Sequence, residues 1–260
     1  MKSTDLAVHI IQPDIQWEQA AKNLEHIEQL IKSIDHSDLI VLPEMFNTGF
    51  SMNVEEMAED WNGNTYKWML QMAEKTSSVI MGSLIFKEKH NYFNRLIAVY
   101  PDKSKKYYNK RHLFRLGDEH NYYKQGNSNT LIQIRDWKIR MLICYDLRFP
   151  VWSRNTDAYD LLVYVANWPL SRIIAWKTLL RARAIENQSF VMGANRVGSD
   201  VNSIRYGGES LVIDPLGKFL NKPVKNRESV ISSNLTINTL RRIRKKFPVL
   251  LDRENFTIID

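Results

Sequence analysis

The stretch Ile139-Arg140-Met141-Leu142-Ile143-Cys144-Tyr145-Asp146-Leu147-Arg148-Phe149-Pro150 decides how the chain is read. Ile139–Ile143 is a short apolar run of the kind that forms a strand buried by other layers. The run stops at Cys144, and a polar turn that can open a helix follows. A nucleophile is well served there: a sharp strand-to-helix turn exposes its side chain and sets backbone N–H groups beside it to hold an oxyanion. Taken alone, Cys144 reads more readily as a buried, inert thiol, the commoner fate of a free cysteine.

Working outward, similar runs recur at Leu6–Ile11, Leu39–Leu42, Val79–Ile85, Leu96–Tyr100, Leu161–Ala166 and Phe190–Ala194. Helical spacing falls between some of them. Trp17–Ile34 puts Ala21, Leu24, Ile27, Leu30 and Ile31 three and four residues apart. Ser171–Asn187 sets Ile174, Leu179, Ala182 and Ile185 broadly on one side, with Ser171 as a candidate cap. Ser210–Leu220, turning at Pro215-Leu216-Gly217, reads as strand–turn–strand. A helix and then an extended arm are expected from about residue 236. No repeat, low-complexity tract or linker interrupts residues 1–260, so a single α/β domain is expected.

Composition narrows the function classes. Hydrophobic residues make up 44% of the chain and charged residues 25%, so an ordinary soluble core can be buried. The net charge of +7 gathers partly in Lys103, Lys105, Lys106, Lys110 and Arg111, and in Arg241, Arg242, Arg244, Lys245 and Lys246. Neither cluster belongs to a known nucleic-acid-binding module, so no nucleic-acid partner is expected. Cys144 is the one cysteine, which excludes an internal disulfide and a cysteine metal cluster and suits a reducing, cytoplasmic setting. The opening MKSTDLAVHII does not read as a signal peptide, and no apolar run reaches bilayer length, so no membrane association is expected. H-E-x-x-H and P-loop patterns are absent.

Two more residues stand where chemistry is built. Glu44, in Val41-Leu42-Pro43-Glu44, ends a buried apolar run, and the carboxyl ends of strands are where α/β sites form. Burial raises a carboxylate's pKa and suits it to acid–base work; a capping or salt-bridged glutamate is the plainer alternative. Lys110, in Tyr107-Tyr108-Asn109-Lys110-Arg111-His112-Leu113-Phe114, can lower a thiol's pKa and hold an oxyanion, although a lone lysine is ordinarily a solvated one. A Cys–His pair using His112 or His120 is the rival cysteine mechanism.

Together the segments LPEMFNTGF around Glu44, YNKRHLF around Lys110 and ICYDLRFP around Cys144 resemble the nitrilase (carbon–nitrogen hydrolase) superfamily and its Glu–Lys–Cys order. The separations, 110 − 44 = 66 and 144 − 110 = 34, suit it, as do YVANWP (Tyr164–Pro169), RARAIENQ (Arg181–Gln188) and ANRVG (Ala194–Gly198). KRHLFR followed by DEH, and CYDLRFPVWSRN followed by YVANWP, most resemble the bacterial omega-amidase branch. The resemblance implies a four-layer α-β-β-α sandwich, commonly dimeric, with no metal or organic cofactor. It implies hydrolysis of the side-chain amide of 2-oxo acids such as 2-oxoglutaramate and 2-oxosuccinamate.

By the same resemblance Glu44, Lys110 and Cys144 are catalytic. Glu119, in Asp118-Glu119-His120, matches a second glutamate, with Asp118 its local competitor. The N–H of Tyr145 is placed at the oxyanion. Arg148, Arg172 and Arg196 are candidate anchors for a substrate carboxylate, and Trp168 and Phe46 candidate pocket walls; an ion pair or core packing is the structural alternative for each. Many relatives carry an acidic residue where Val151 stands, which leaves Arg148 without its expected partner.

Overall fold

In the computed structural model, residues 5–258 are described. The first four residues of the N-terminal segment, and residues 259–260 of the arm, lie outside them. The strands are β1 (Asp5–Gln12), β2 (Leu39–Val41), β3 (Val79–Glu88), β4 (Asn91–Val99), β5 (Lys105–Asn109), β6 (Leu131–Ile134), β7 (Trp137–Ile143), β8 (Leu161–Val165), β9 (Phe190–Ala194), β10 (Val197–Ser199), β11 (Arg205–Gly207), β12 (Leu211–Ile213) and β13 (Ser229–Thr236). The helices are α1 (Ala20–Ile31), α2 (Val54–Met57), α3 (Asn64–Thr76), α4 (Glu119–Tyr122), α5 (Pro150–Ser153), α6 (Ile173–Glu186) and α7 (Ile237–Lys246). All seven apolar runs are strands.

Two sheets dominate, a six-stranded one in the order β13-β1-β2-β3-β4-β5 and a five-stranded one in the order β12-β9-β8-β7-β6. Period-two side-chain alternation builds the layers. In the first sheet Leu6, Val8, Ile10, Leu39, Val41, Val79, Met81, Leu96 and Ala98 share a core with the second sheet's Ile139, Met141, Ile143 and Val163. Their outward neighbours Ile40, Ile80, Ile97 and Val99 pack with Leu24 and Ile27 of α1 and Met69 and Met72 of α3. Trp176 and Leu180 of α6 cover the second sheet, where a Cβ on Gly193 would strike both. The result is the expected α-β-β-α sandwich. The centres of both sheets are parallel, β1-β2-β3 and β7-β8-β9, so the carboxyl ends of β2, β7 and β8 gather at one rim.

Several local expectations are corrected. The first helix is shorter than Trp17–Ile34, running Ala20–Ile31. Ser171 caps nothing: Arg172 precedes α6, and no side chain bonds the helix start. The side of α6 marked by Ile174 and Ile185 faces outward, 78% and 50% exposed, while Trp176, Leu180, Arg183 and Ala184 face the sheet. Ser210–Leu220 is the strand β12, a turn, and a bridge between Ile213 and Phe219. The expected C-terminal helix is α7, with a short turn at Val249–Leu251 beyond it. Among the described residues no helix is long and apolar enough to cross a membrane.

Candidate active site

The rim gathers Glu44 three residues past β2, Lys110 directly after β5, Cys144 directly after β7, and Glu119 at the start of α4. Glu44, Lys110 and Glu119 are buried, and Cys144 is half-buried. Lys110 Nζ donates to Glu44 Oε1 at 2.8 Å and to Glu119 Oε1 and Oε2 at 3.0 and 2.9 Å. Its peptide N–H donates to the Asn94 carbonyl at 3.0 Å, and its carbonyl accepts from Gly126 N at 2.8 Å, so the loop carrying Glu119 closes on itself. Gly126 lies against the Asn109 backbone where a Cβ has no room. The peptide N–H of Phe114 also donates to Glu119 Oε2, at 2.6 Å.

Electrostatics fix the ionisation of this cluster. Burial alone would lower the Lys110 pKa, but the charges of Glu119 and Glu44 outweigh it and hold the ammonium protonated. Burial pushes the Glu119 carboxyl up against the opposing pull of Lys110. Burial, the charge of Glu44 and the hydrogen bond to Glu44 push the Cys144 thiol well above its ordinary range, and Lys110 only partly offsets them. The resting Cys144 side chain is therefore a thiol rather than a thiolate.

Cys144 has a φ of +41°, a left-handed conformation that costs a non-glycine residue of order 1–3 kcal/mol and projects the thiol off the end of β7. Buried Asp146 holds this elbow. It accepts from Ile143 N at 3.0 Å, Tyr108 Oη at 2.8 Å, and His112 N and Nδ1 at 3.1 and 2.8 Å. His112 is thus committed to Asp146 and stacks on Phe149 with ring centroids 3.7 Å apart. The groups that act most on the Cys144 thiol are Glu44, Lys110 and Glu119, with neither histidine among them, which removes the basis for the Cys–His reading. Tyr145 opens the 3₁₀ turn Cys144–Arg148, so its peptide N–H has no acceptor within that turn.

The other candidates divide. Arg148 is exposed and lies 5.2 Å over the Trp168 ring, which is its partner in place of an acidic residue at the exposed Val151. Trp168 Nε1 donates to the Arg172 carbonyl at 2.8 Å, and the half-buried Arg172 guanidinium lies 5.4 Å over Phe114. With the Phe114 ring 5.1 Å from that of Tyr145, these contacts link Tyr145, Phe114, Arg172, Trp168 and Arg148 into one patch at the mouth of the rim beside Cys144. Phe46 does not reach it: its ring packs against Trp68 on the helix-covered face, fitting over Gly82, where a Cβ would lie 2.7 Å from it. Arg196 is buried and bound to Asp14 and to the Ile15 and Val197 carbonyls, so it is a strut of the rim.

Three contributors were not anticipated. Asn167 donates its peptide N–H to Glu44 Oε2 at 2.9 Å, Asn94 Nδ2 donates to both glutamates, and Phe50 lies 5.3 Å from Lys110 Nζ. Asn167 and Phe50 fall inside motifs quoted above, YVANWP and LPEMFNTGF, whereas nothing around Asn94 marks it. A separate hollow of about 760 Å³ between β1, the end of α1 and β13 holds none of these groups.

The carbon–nitrogen hydrolase family model matches residues 7–245. The chain belongs to the carbon–nitrogen hydrolase family. It is 42% identical to the omega-amidase YafV of Escherichia coli (strain K12), over 97% of this chain and 98% of that one. It is 34% identical to the 2-oxoglutaramate amidase of Bacillus subtilis (strain 168), over 94% and 96%. A crystal structure of a CN-hydrolase superfamily protein from Xanthomonas campestris, with an arsenic adduct in its active site, superimposes with a TM-score of 0.95 at 40% identity, covering 98% of this chain and 99% of that chain. Members of this family are carbon–nitrogen hydrolases, and the α-β-β-α fold of this chain is theirs.

Proposed function

We propose that this carbon–nitrogen hydrolase is an omega-amidase, removing the side-chain amide of 2-oxo dicarboxylic acid monoamides such as 2-oxoglutaramate and 2-oxosuccinamate as ammonia. The near-full-length likeness to omega-amidase and 2-oxoglutaramate amidase relatives supports the activity. The observation that carries the chemistry is the buried contact of Lys110 with both Glu44 and Glu119 beside the Cys144 thiol.

In this reading Glu44 takes the Cys144 proton, and Sγ attacks the amide carbon. An ammonium has three N–H donors. Lys110 gives one to Glu44 and one, shared between both carboxylate oxygens, to Glu119, and the third, with the Tyr145 peptide N–H, holds the oxyanion. Glu44 returns the proton to the departing nitrogen; the C–N bond breaks, ammonia leaves, and the acyl group remains on Cys144 as a thioester. Glu44 then draws a proton from water, which hydrolyses the thioester and restores the thiol. Two easier displacements replace one hard one. Glu119 fixes Lys110 throughout.

The half-buried Arg172 at the mouth is the proposed anchor for the substrate carboxylate, with Arg148 and Trp168 lining the same wall. Ammonia release should be strong from 2-oxoglutaramate and weak from glutamine, a simple aliphatic amide and a nitrile. Arg172→Ala should raise KM for 2-oxoglutaramate about tenfold or more, as expected for a lost charge-assisted contact. Preference for an uncharged amide would discard the omega-amide assignment while leaving the hydrolase chemistry in place.

We further propose a single-domain, cytoplasmic protein that pairs with a second copy through the outer face of α6. Ile174 and Ile185 lie three turns apart on that face, and exposed Leu216 and Phe247 flank its end. Ile174→Lys with Ile185→Lys should convert a dimer to a monomer in analytical ultracentrifugation. A wild type that sediments as a monomer would refute the pairing.

A further inference from the structure

Asn94 sits on β4 with its side chain buried between the sheets, opposite Ile85 of β3 and one residue before the pairing of Arg95 with Asn109. Its amide nitrogen carries two protons. One goes to Glu44 Oε1 at 2.8 Å and the other to Glu119 Oε1 at 3.0 Å. Its own Oδ1 is buried with no partner among the described residues, which costs stability. The reverse orientation would press a carbonyl oxygen against two carboxylates, so the donors must face them. A fold that tolerates an orphaned acceptor here is retaining the residue for its two N–H groups.

The accounting at Glu44 gives those donors a consequence. Among the nitrogen donors of the described residues, Oε1 accepts from both Lys110 and Asn94, which fills its two lone-pair directions, while Oε2 accepts from the Asn167 peptide N–H alone and keeps a direction open for the hydrogen bond of the Cys144 thiol to Glu44. We infer that Asn94 is a positioning residue: it saturates Oε1, so that Oε2 is the oxygen that exchanges the proton with the nucleophile and leaving group, and it locks Glu119 to Glu44 across one amide. The inference rests on Glu44 being the general base. Asn94 touches no reacting atom in this scheme and acts through the two glutamates.

Two near-isosteric variants test it with opposite signs. Asn94→Leu removes the donors from both carboxylates, so the acid limb of kcat/KM should move up by about one pH unit and kcat should fall roughly 10- to 100-fold, the range of a hydrogen bond to a charged group, with KM nearly unchanged. Asn94→Asp restores a donor only while the new acid is protonated. Its activity should therefore be partly rescued at low pH and lost as pH rises, shifting the optimum downward. Rates are normalised to the amount of Cys144 that iodoacetamide titrates in folded protein, which removes any loss from misfolding. Opposite displacements of the two profiles support the inference. Profiles that superimpose on wild type after normalisation overturn it, and if Asn94→Leu does not fold, the direction of the Asn94→Asp shift decides alone. Glu44→Gln run in parallel separates the two levels: turnover surviving in that variant sinks the base assignment itself, whereas its loss alongside unshifted Asn94 profiles sinks only the role given to Asn94.

Discussion

The Asn167 peptide N–H donates to Glu44 Oε2 at 2.9 Å, and the Asn167 side-chain amide donates to the Glu44 carbonyl oxygen at 2.6 Å. Glu44 follows β2 in the six-stranded sheet and Asn167 follows β8 in the five-stranded one, so this pair ties the two sheets together at the proposed general base. Asn167→Ala keeps the peptide donor but strips a buried carbonyl of its partner. It should cost about 1–3 kcal/mol in urea unfolding and lower kcat more than it raises KM. Unchanged stability and turnover would show that the tether is idle.

The Cys144 thiol offers a direct reading of its surroundings because it is the chain's one cysteine. Burial first, and then Glu44, raise its pKa, while Lys110 lowers it. The pH midpoint of its alkylation should therefore move down in Glu44→Gln and up in Lys110→Met. Turnover should fall in both, in Glu44→Gln by about 100-fold or more, as for loss of a general base. Midpoints that fail to separate would mean that neither group faces the thiol.

Stability should fail at the alkaline end. The Lys110, Tyr108 and Tyr164 pKa values are all raised in the folded protein. Burial is the leading cause for both tyrosines, and the neighbouring carboxylates are the cause for Lys110. Folding therefore retains protons that the unfolded chain has released. That contribution is complete below the unfolded values of about 10 and 10.5 and is lost as pH rises beyond them. The urea midpoint should fall steeply above about pH 10. A flat midpoint to pH 11 or so would contradict these shifts.

Phe46 separates a core role from a pocket role. Phe46→Ala removes a ring packed on Trp68 and Gly82 and should cost about 3–5 kcal/mol in stability. The surviving folded enzyme should keep its KM. A raised KM in fully folded protein would return Phe46 to the substrate pocket.

The legible parts of the molecule are those with strong local patterns. Leu161–Val165, and Ile139–Ile143 apart from the buried Arg140, are apolar because both faces of their strands are covered. α3 escaped notice: its buried face, Tyr66, Trp68, Met69, Met72 and Ala73, does fall at three- and four-residue spacing, but the polar residues between them weaken that signal. β13 escaped because Ser229–Thr236 is largely polar and gains its strand identity from β1, pairing Asp5 with Thr236 from the far end of the chain. α6 misled because its sheet-facing side includes Arg183, whose Nη2 donates to the Leu147 carbonyl at 2.7 Å, while isoleucines face out. At the site, ordered motifs marked Glu44, Lys110, Cys144 and Glu119. Asn94 has no motif, and its meaning arises only when β4 is laid between two glutamates 75 residues apart, 119 − 44.

The most direct test is ammonia release from 2-oxoglutaramate by wild type and by Cys144→Ala, with circular dichroism confirming that both are folded. The account predicts rapid release by wild type and no release above background from the folded variant. Near-normal release by Cys144→Ala would contradict it, because no thioester can form there.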